Sequence, residues 1–153
     1  MVNITRAQTL TNQKKKLEYF SDFMDNFDKS PLGPELARVT NEKSVTQALR
    51  NLIFTNFGER PYQPNLGCNV LGSLFELSGV VLENMLRDAI VATIQSYEPR
   101  VVLENVIIHD MNNPIDYSQP AAVDKNGVEV TLIYYLANNP TPLTLTILLR
   151  KVR

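Results

Sequence analysis

A chain of 153 residues with 44% apolar and 20% charged composition is long enough for one substantial core and has the make-up of a globular domain. A formal net charge of −1 gives no basis for nucleic-acid binding, and one cysteine, Cys68, excludes an internal disulfide and a thiolate zinc site. No apolar run approaches the roughly 20 residues that cross a bilayer, and residues 1–10 lack a secretory core, so the expected setting is the compartment of synthesis, with no membrane partner.

Residues 1–18 are polar, with Lys14, Lys15 and Lys16 in a row, and read as a flexible N-terminal arm. The remainder, residues 19–153, reads as a single domain. Tyr19, Phe20, Phe23, Met24 and Phe27 alternate with Asp22, Asp25 and Asp28 before Pro31, Gly33 and Pro34. That pattern predicts an irregular segment pinned to the body by its buried aromatics, each worth on the order of 1.5–3 kcal/mol.

A short strand is expected over residues 35–40, with Asn41 as N-cap of a helix over 42–55. Val45, Ala48, Leu49, Leu52 and Ile53 form its apolar face. Val70, Leu71, Leu74 and Phe75 predict a short second helix. Ser78 is placed to cap a third, whose stripe runs through Leu82, Met85, Leu86, Ala89, Ile90, Thr93, Ile94 and Tyr97. Pro99 disfavours helix at Glu98, so the third helix should stop near Tyr97.

The period then changes. Residues 101–109 are rich in β-branched residues and read as a strand, residues 110–127 read as a long connection, and residues 128–136 and 143–150 alternate as strands joined by a hairpin loop over 138–142. Helices first and strands last define an α+β class, with helices packed on one face of a small, mainly antiparallel sheet.

Between the first two helices the chain is crowded with constrained residues. Gly58 and Gly67 permit turns that other residues resist, while Pro61 and Pro64 fix φ and remove donors. Glu59 and Arg60 add an adjacent charge pair, and Phe57 and Tyr62 add aromatics. An ordered loop that presents a surface is expected. A carboxylate at a helix C-terminus, here Glu98, meets the negative end of the dipole at a cost of roughly 0.3–1 kcal/mol. Arg100 and Arg60 are the candidates to offset it, because a planar guanidinium can grip a carboxylate bidentately. One reading makes this an internal brace from the helix end to the 58–67 loop; the other makes it a charged ridge that docks a partner. The two are compatible.

Leu52-Ile53-Phe54-Thr55, Gly58-Glu59-Arg60, Pro64, Gly67, Leu74-Phe75-Glu76 and Glu98-Pro99-Arg100 follow one another in the order and spacing of a known pattern. In these the chain resembles the baseplate wedge subunit family of contractile phage tails, with the related baseplate subunit of type VI secretion systems, from about residue 20 onward. The resemblance implies a structural subunit without cofactors, in a hetero-oligomeric assembly of sixfold symmetry. Its partners would be other wedge proteins and the tail sheath. Its place would be the virion tail baseplate, assembled in the host cytoplasm, or the equivalent part of a bacterial secretion machine. Glu59, Arg60, Glu98, Pro99 and Arg100 are the candidate interface or brace residues, and Gly58, Pro61, Pro64 and Gly67 the loop-shaping ones. The strongly alternating C-terminal hairpin suggests an edge able to accept a neighbour's strand.

Family members have also carried a lysozyme label, so a muralytic enzyme is the alternative. Glycoside hydrolysis asks for two carboxylates across a cleft, one of raised pKa, and Glu59, Glu76 and Glu98 can be nominated. Arginines close in sequence to Glu59 and Glu98 favour the ionised form and spoil a general acid, and no tryptophan is available to stack on a sugar. His109 is the sole histidine, which excludes a multi-histidine metal site. The expectation is therefore that the chain is not an enzyme.

Overall fold

The computed structural model describes residues 17–31, 33–76, 80–110 and 127–150. The elements in chain order are β1 (Ser21–Phe23), β2 (Arg38–Thr40), α1 (Glu42–Phe54), α2 (Val70–Glu76), α3 (Val80–Tyr97), β3 (Val101–Asp110), β4 (Gly127–Leu136) and β5 (Asn139–Arg150). β3, β4 and β5 form an antiparallel sheet in sequence order, and β1 and β2 form a separate two-stranded ribbon. The α+β class expected from the order of helices and strands is what the chain adopts.

Period-2 alternation puts Val128, Val130, Leu132, Tyr134 and Leu136 of β4 on one face, where all are buried. Ile147 and Leu149 of β5 and Val106 and Ile108 of β3 extend that face. Onto it pack the stripes of the helices: Val45, Leu49 and Ile53 of α1, Leu74 of α2, and Leu82, Leu86, Ile90 and Ile94 of α3, all in one core with Cys68. Burial of each such aliphatic side chain stabilises by about 1.5–3 kcal/mol. Polar links also tie helices to the sheet, among them Thr46 Oγ1 and the Tyr134 hydroxyl, 2.9 Å apart, and Arg87 Nε, which donates to the Val106 carbonyl at 3.1 Å. The α3 stripe is narrower than its sequence suggests, since Met85 and Tyr97 at its margins are exposed.

The N-terminal region differs from the sequence expectation. Residues 21–23 are a strand, paired with residues 38–40, and the strand expected over 35–40 is limited to those three plus an isolated Lys29–Leu36 bridge. Only Phe20 packs on the core; Phe23, Met24 and Phe27 are exposed. A two-stranded ribbon has a single layer, so only its attachment point can bury an aromatic. Asn41 does occupy the N-cap position, at φ 52°, but its side chain makes no cap bond. Instead Oδ1 accepts from the Tyr19 and Phe20 amides at 2.8 and 3.4 Å, and Nδ2 donates to the Leu17 carbonyl at 3.0 Å. The residue clamps the chain entering β1.

At the other end, the hairpin between β4 and β5 is tighter than the expected 138–142 loop. Leu136 pairs with Asn139, leaving Ala137 and Asn138 as the turn, and an irregularity absorbs Pro140 and Pro142 into β5. Two prolines are tolerable there because, among the described residues, β5 is the outer strand. The Ser78 cap and nearly all of the 110–127 connection lie outside the described residues.

Candidate functional site at the end of the longest helix

α1 ends where Thr55 turns extended. Its hydroxyl and amide both donate to the Asn51 carbonyl, at 2.7 and 3.0 Å, and its own carbonyl accepts from the Cys68 amide at 2.8 Å. Between those two points the chain folds on itself. Gly58 N donates to the Pro64 carbonyl at 2.8 Å, Gln63 N to Arg60 O at 3.1 Å and Leu66 N to Gln63 O at 3.0 Å. The Glu59 carboxylate accepts from the Asn56 amide at 2.8 Å. Gly58 adopts φ +79° and Gly67 φ +126°, conformations that L side chains avoid. At Gly67 there is also no room, because a Cβ would lie 2.3 Å from the Thr55 carbonyl oxygen. The loop holds Phe57 and Tyr62 outward, Tyr62 at 98% exposure.

The loop is fastened to α3 by neutral groups. Tyr97, in the last turn of the helix, donates its hydroxyl to the Asn65 carbonyl at 2.8 Å. One turn earlier, Thr93 Oγ1 donates to the Ala89 carbonyl at 2.8 Å and reaches the Gly67 carbonyl at 3.2 Å. Beside it the Cys68 thiol is buried, which pushes its pKa up, with a smaller opposing effect from its bond to Thr93.

Glu98 follows directly, 6% exposed, its amide bonded to the Ile94 carbonyl at 2.9 Å. Pro99 turns the chain back, and Arg100 returns its fork: Nε donates to Oε1 at 2.5 Å and Nη2 to Oε2 at 2.6 Å. These bonds to Glu98 push the Arg100 guanidinium above its ordinary pKa, with smaller contributions from the charges of Glu98 and Asp22. The guanidinium also sits 5.3 Å from the centre of the Phe20 ring, a cation–π contact.

Of the residues singled out in the sequence, Glu98, Pro99 and Arg100 come together, whereas Arg60 is exposed and pairs with neither. Among the described residues the one ion pair is Arg100–Glu98. A two-residue reach across a proline engages both Glu98 oxygens locally. The charged turn faces the N-terminal ribbon through Phe20, while Tyr97 and Thr93 make the link to the loop. Sequence reasoning placed Tyr97 and Thr93 in the apolar stripe, Asn41 at the helix cap and Phe20 among the buried aromatics, and assigned none of them to this site. Only Tyr97 carried a signal, a polar-tipped aromatic beside Glu98. Of the three nominated acids, Glu98 is engaged by Arg100, Glu59 is exposed and bonded to its own loop, and the Glu76 side chain lies outside the described positions. His109 is exposed on β3, and no group of three or more metal-ligating side chains occurs among the described residues.

Three helices on one face of a β3–β4–β5 meander, with a hydrogen-bonded loop fastened to the longest helix, define an α+β scaffold domain. The chain belongs to the baseplate wedge protein gp25 family, whose model matches residues 39–141; the family is a structural one. Baseplate wedge protein gp25 of Enterobacteria phage T4 is 28% identical over 101 residues, covering 66% of this chain and 67% of that protein. The fold is also found in a chain of the sixfold-symmetrised baseplate of the anti-feeding prophage, with TM-score 0.62, 24% identity and coverage of 79% of this chain and 88% of that one. A proposed tail lysozyme from Geobacter sulfurreducens shares it at TM-score 0.59 and 17% identity, over 73% of this chain and 92% of that one.

Proposed function

We propose that this chain is a structural subunit of a contractile-tail baseplate, joining wedge proteins to the first sheath ring through protein–protein contacts. Membership of the gp25 family supports the baseplate part, and a chain of this fold in a sixfold-symmetrised baseplate supports a sixfold, hetero-oligomeric setting. In a phage, its place is the virion tail baseplate, assembled in the host cytoplasm.

The observation that carries the attachment is β5. This strand runs twelve residues and, among the described residues, pairs only with β4, so one side of its backbone lacks a ladder partner. Such an edge accepts a strand from a neighbour through main-chain hydrogen bonds. Pro142 leaves no ladder bond unmade when its nitrogen faces away from β4, and alternation then turns the amides of Thr144, Thr146 and Leu148 the same way. A Thr146→Pro variant therefore removes one outward donor while keeping the β4 ladder. With the thermal unfolding of the variant checked first, this reading expects sheath nucleation on baseplates to fail. Normal nucleation on a folded variant would refute strand addition. Glu98, Pro99 and Arg100 serve in this reading as the brace that sets the N-terminal ribbon against the body, and the loop shaped by Gly58, Pro61, Pro64 and Gly67 is a second docking surface, with Glu59 and Arg60 at its rim.

A further inference from the structure

The β1–β2 ribbon is ordered by its own bonds and by its fastening to the body. Met24 N donates to the Ala37 carbonyl at 3.0 Å, Ala37 N to Asp28 O at 2.7 Å and Ser30 N to Glu35 O at 2.7 Å. Gln47 Nε2 donates to the Phe23 carbonyl at 2.7 Å and Asn51 Nδ2 to Asp25 Oδ1 at 2.9 Å. A ribbon so fixed nevertheless exposes Phe23, Phe27 and Leu36, at 52%, 68% and 39%. Ordered apolar side chains left in water are burial that a partner could complete. Phe23 and Leu36 belong to the wall of an open groove of about 590 Å³, with Asp22, Pro34, Glu35 and Arg38.

The charge around this groove is net negative. Residues 17–38 carry five carboxylates (Glu18, Asp22, Asp25, Asp28 and Glu35) against two cations, Lys29 and Arg38. Among the described residues none of the five makes an ion pair. A space of this size receives a few side chains rather than a folded element. An anionic membrane surface would be repelled by it.

We propose that this groove docks an extended segment of a partner protein in which apolar side chains are flanked by lysine or arginine. The apolar side chain enters between Phe23, Pro34 and Leu36, and the cations meet Asp22 and Glu35. This surface is distinct from the β5 edge, and its test does not depend on strand addition.

The full chain, isotope-labelled, is titrated with the peptide Lys-Lys-Leu-Phe-Leu-Lys-Lys and with its charge-reversed counterpart Glu-Glu-Leu-Phe-Leu-Glu-Glu, following backbone amide shifts. The basic peptide should give saturable shifts at the amides of residues 21–23 and 35–38, and the acidic one none. Affinity should fall about tenfold or more in Phe23→Ser and Leu36→Ser, whose side chains are exposed enough to be replaced without unfolding. It should fall about fivefold in Glu35→Gln, the worth of one close charge pair in water. Equal shifts with both peptides, no shifts at those amides, or variants that bind as the parent does would overturn the proposal. So would shifts of the same amides with protein concentration alone, which would assign the face to a second copy of this chain.

Discussion

Arg100 grips Glu98 with two parallel bonds of 2.5 and 2.6 Å across a single intervening proline, and in doing so carries its charge over the ring of Phe20. The helix end, the start of β3 and the chain entering β1 therefore share one polar junction. Removing the guanidinium would leave a carboxylate that is 6% exposed at the negative end of a helix dipole. Arg100→Ala is expected to cost about 1–3 kcal/mol by urea denaturation, the range for stranding a buried acceptor. Arg100→Lys should recover only part, because an ammonium cannot reproduce the fork. Equal stability of Arg100→Ala and the parent would remove the junction from the account.

The two left-handed glycines should respond differently. Gly58 has open space around an added Cβ, so Gly58→Ala should cost about 1–2 kcal/mol for the backbone conformation alone. At Gly67 the added atom meets the Thr55 carbonyl, which also accepts the Cys68 amide. Gly67→Ala should therefore cost more than Gly58→Ala, about 3 kcal/mol or more. Urea midpoints for the two variants decide it, and the reverse order would contradict the loop geometry.

Thr93 holds the loop from the helix side, next to a buried thiol. In Thr93→Val the bond to the Gly67 carbonyl is lost, and stability should fall by about 1 kcal/mol. Cys68 should then react faster with a disulfide reagent under native conditions, since opening of the loop is what exposes it. An unchanged labelling rate would show that the loop is held by other contacts.

Alkaline pH should weaken the fold through Tyr134. Burial raises its phenol pKa, with an opposing effect from the Thr46 hydroxyl bond and a small added one from Glu42. The unfolded phenol releases its proton near pH 10 while the folded one keeps it, so above about pH 10 the native state holds more protons. The contribution is fully present below that pH and declines as pH rises through the folded value. The buried Cys68 thiol, also raised, acts in the same direction. Tyr134→Phe should be less stable at pH 8 by about 1 kcal/mol for the lost hydroxyl bond, yet lose less stability between pH 8 and 10.5. A parallel decline in both proteins would contradict this.

Much of the fold was legible because local chemistry and tertiary structure agree. Asn41 and Pro99 bracket helices that end within a residue of where their neighbours predict, and period-2 alternation in β4 matches its buried face residue for residue. The failures are non-local. Nothing within residues 20–28 announces that their strand partner lies at residues 38–40, so aromatics that looked destined for a core lie on an exposed ribbon. Asn41 has the side chain of a helix cap, but a segment arriving from twenty residues earlier takes both its ends. The pairing of Glu98 could be narrowed to two arginines from sequence, and only the path of the chain after Pro99 chooses Arg100 over Arg60. The tie to the loop fell to Tyr97, whose periodicity assigned it to the apolar stripe.

The attachment of this subunit through its outer strand is tested most directly by a cryo-EM map of the assembled baseplate and first sheath ring containing this chain. The account predicts continuous backbone density from a neighbouring protein alongside residues 143–150, about 4.8 Å from β5. A map with that side of β5 open to solvent, or covered by a helix, would contradict it.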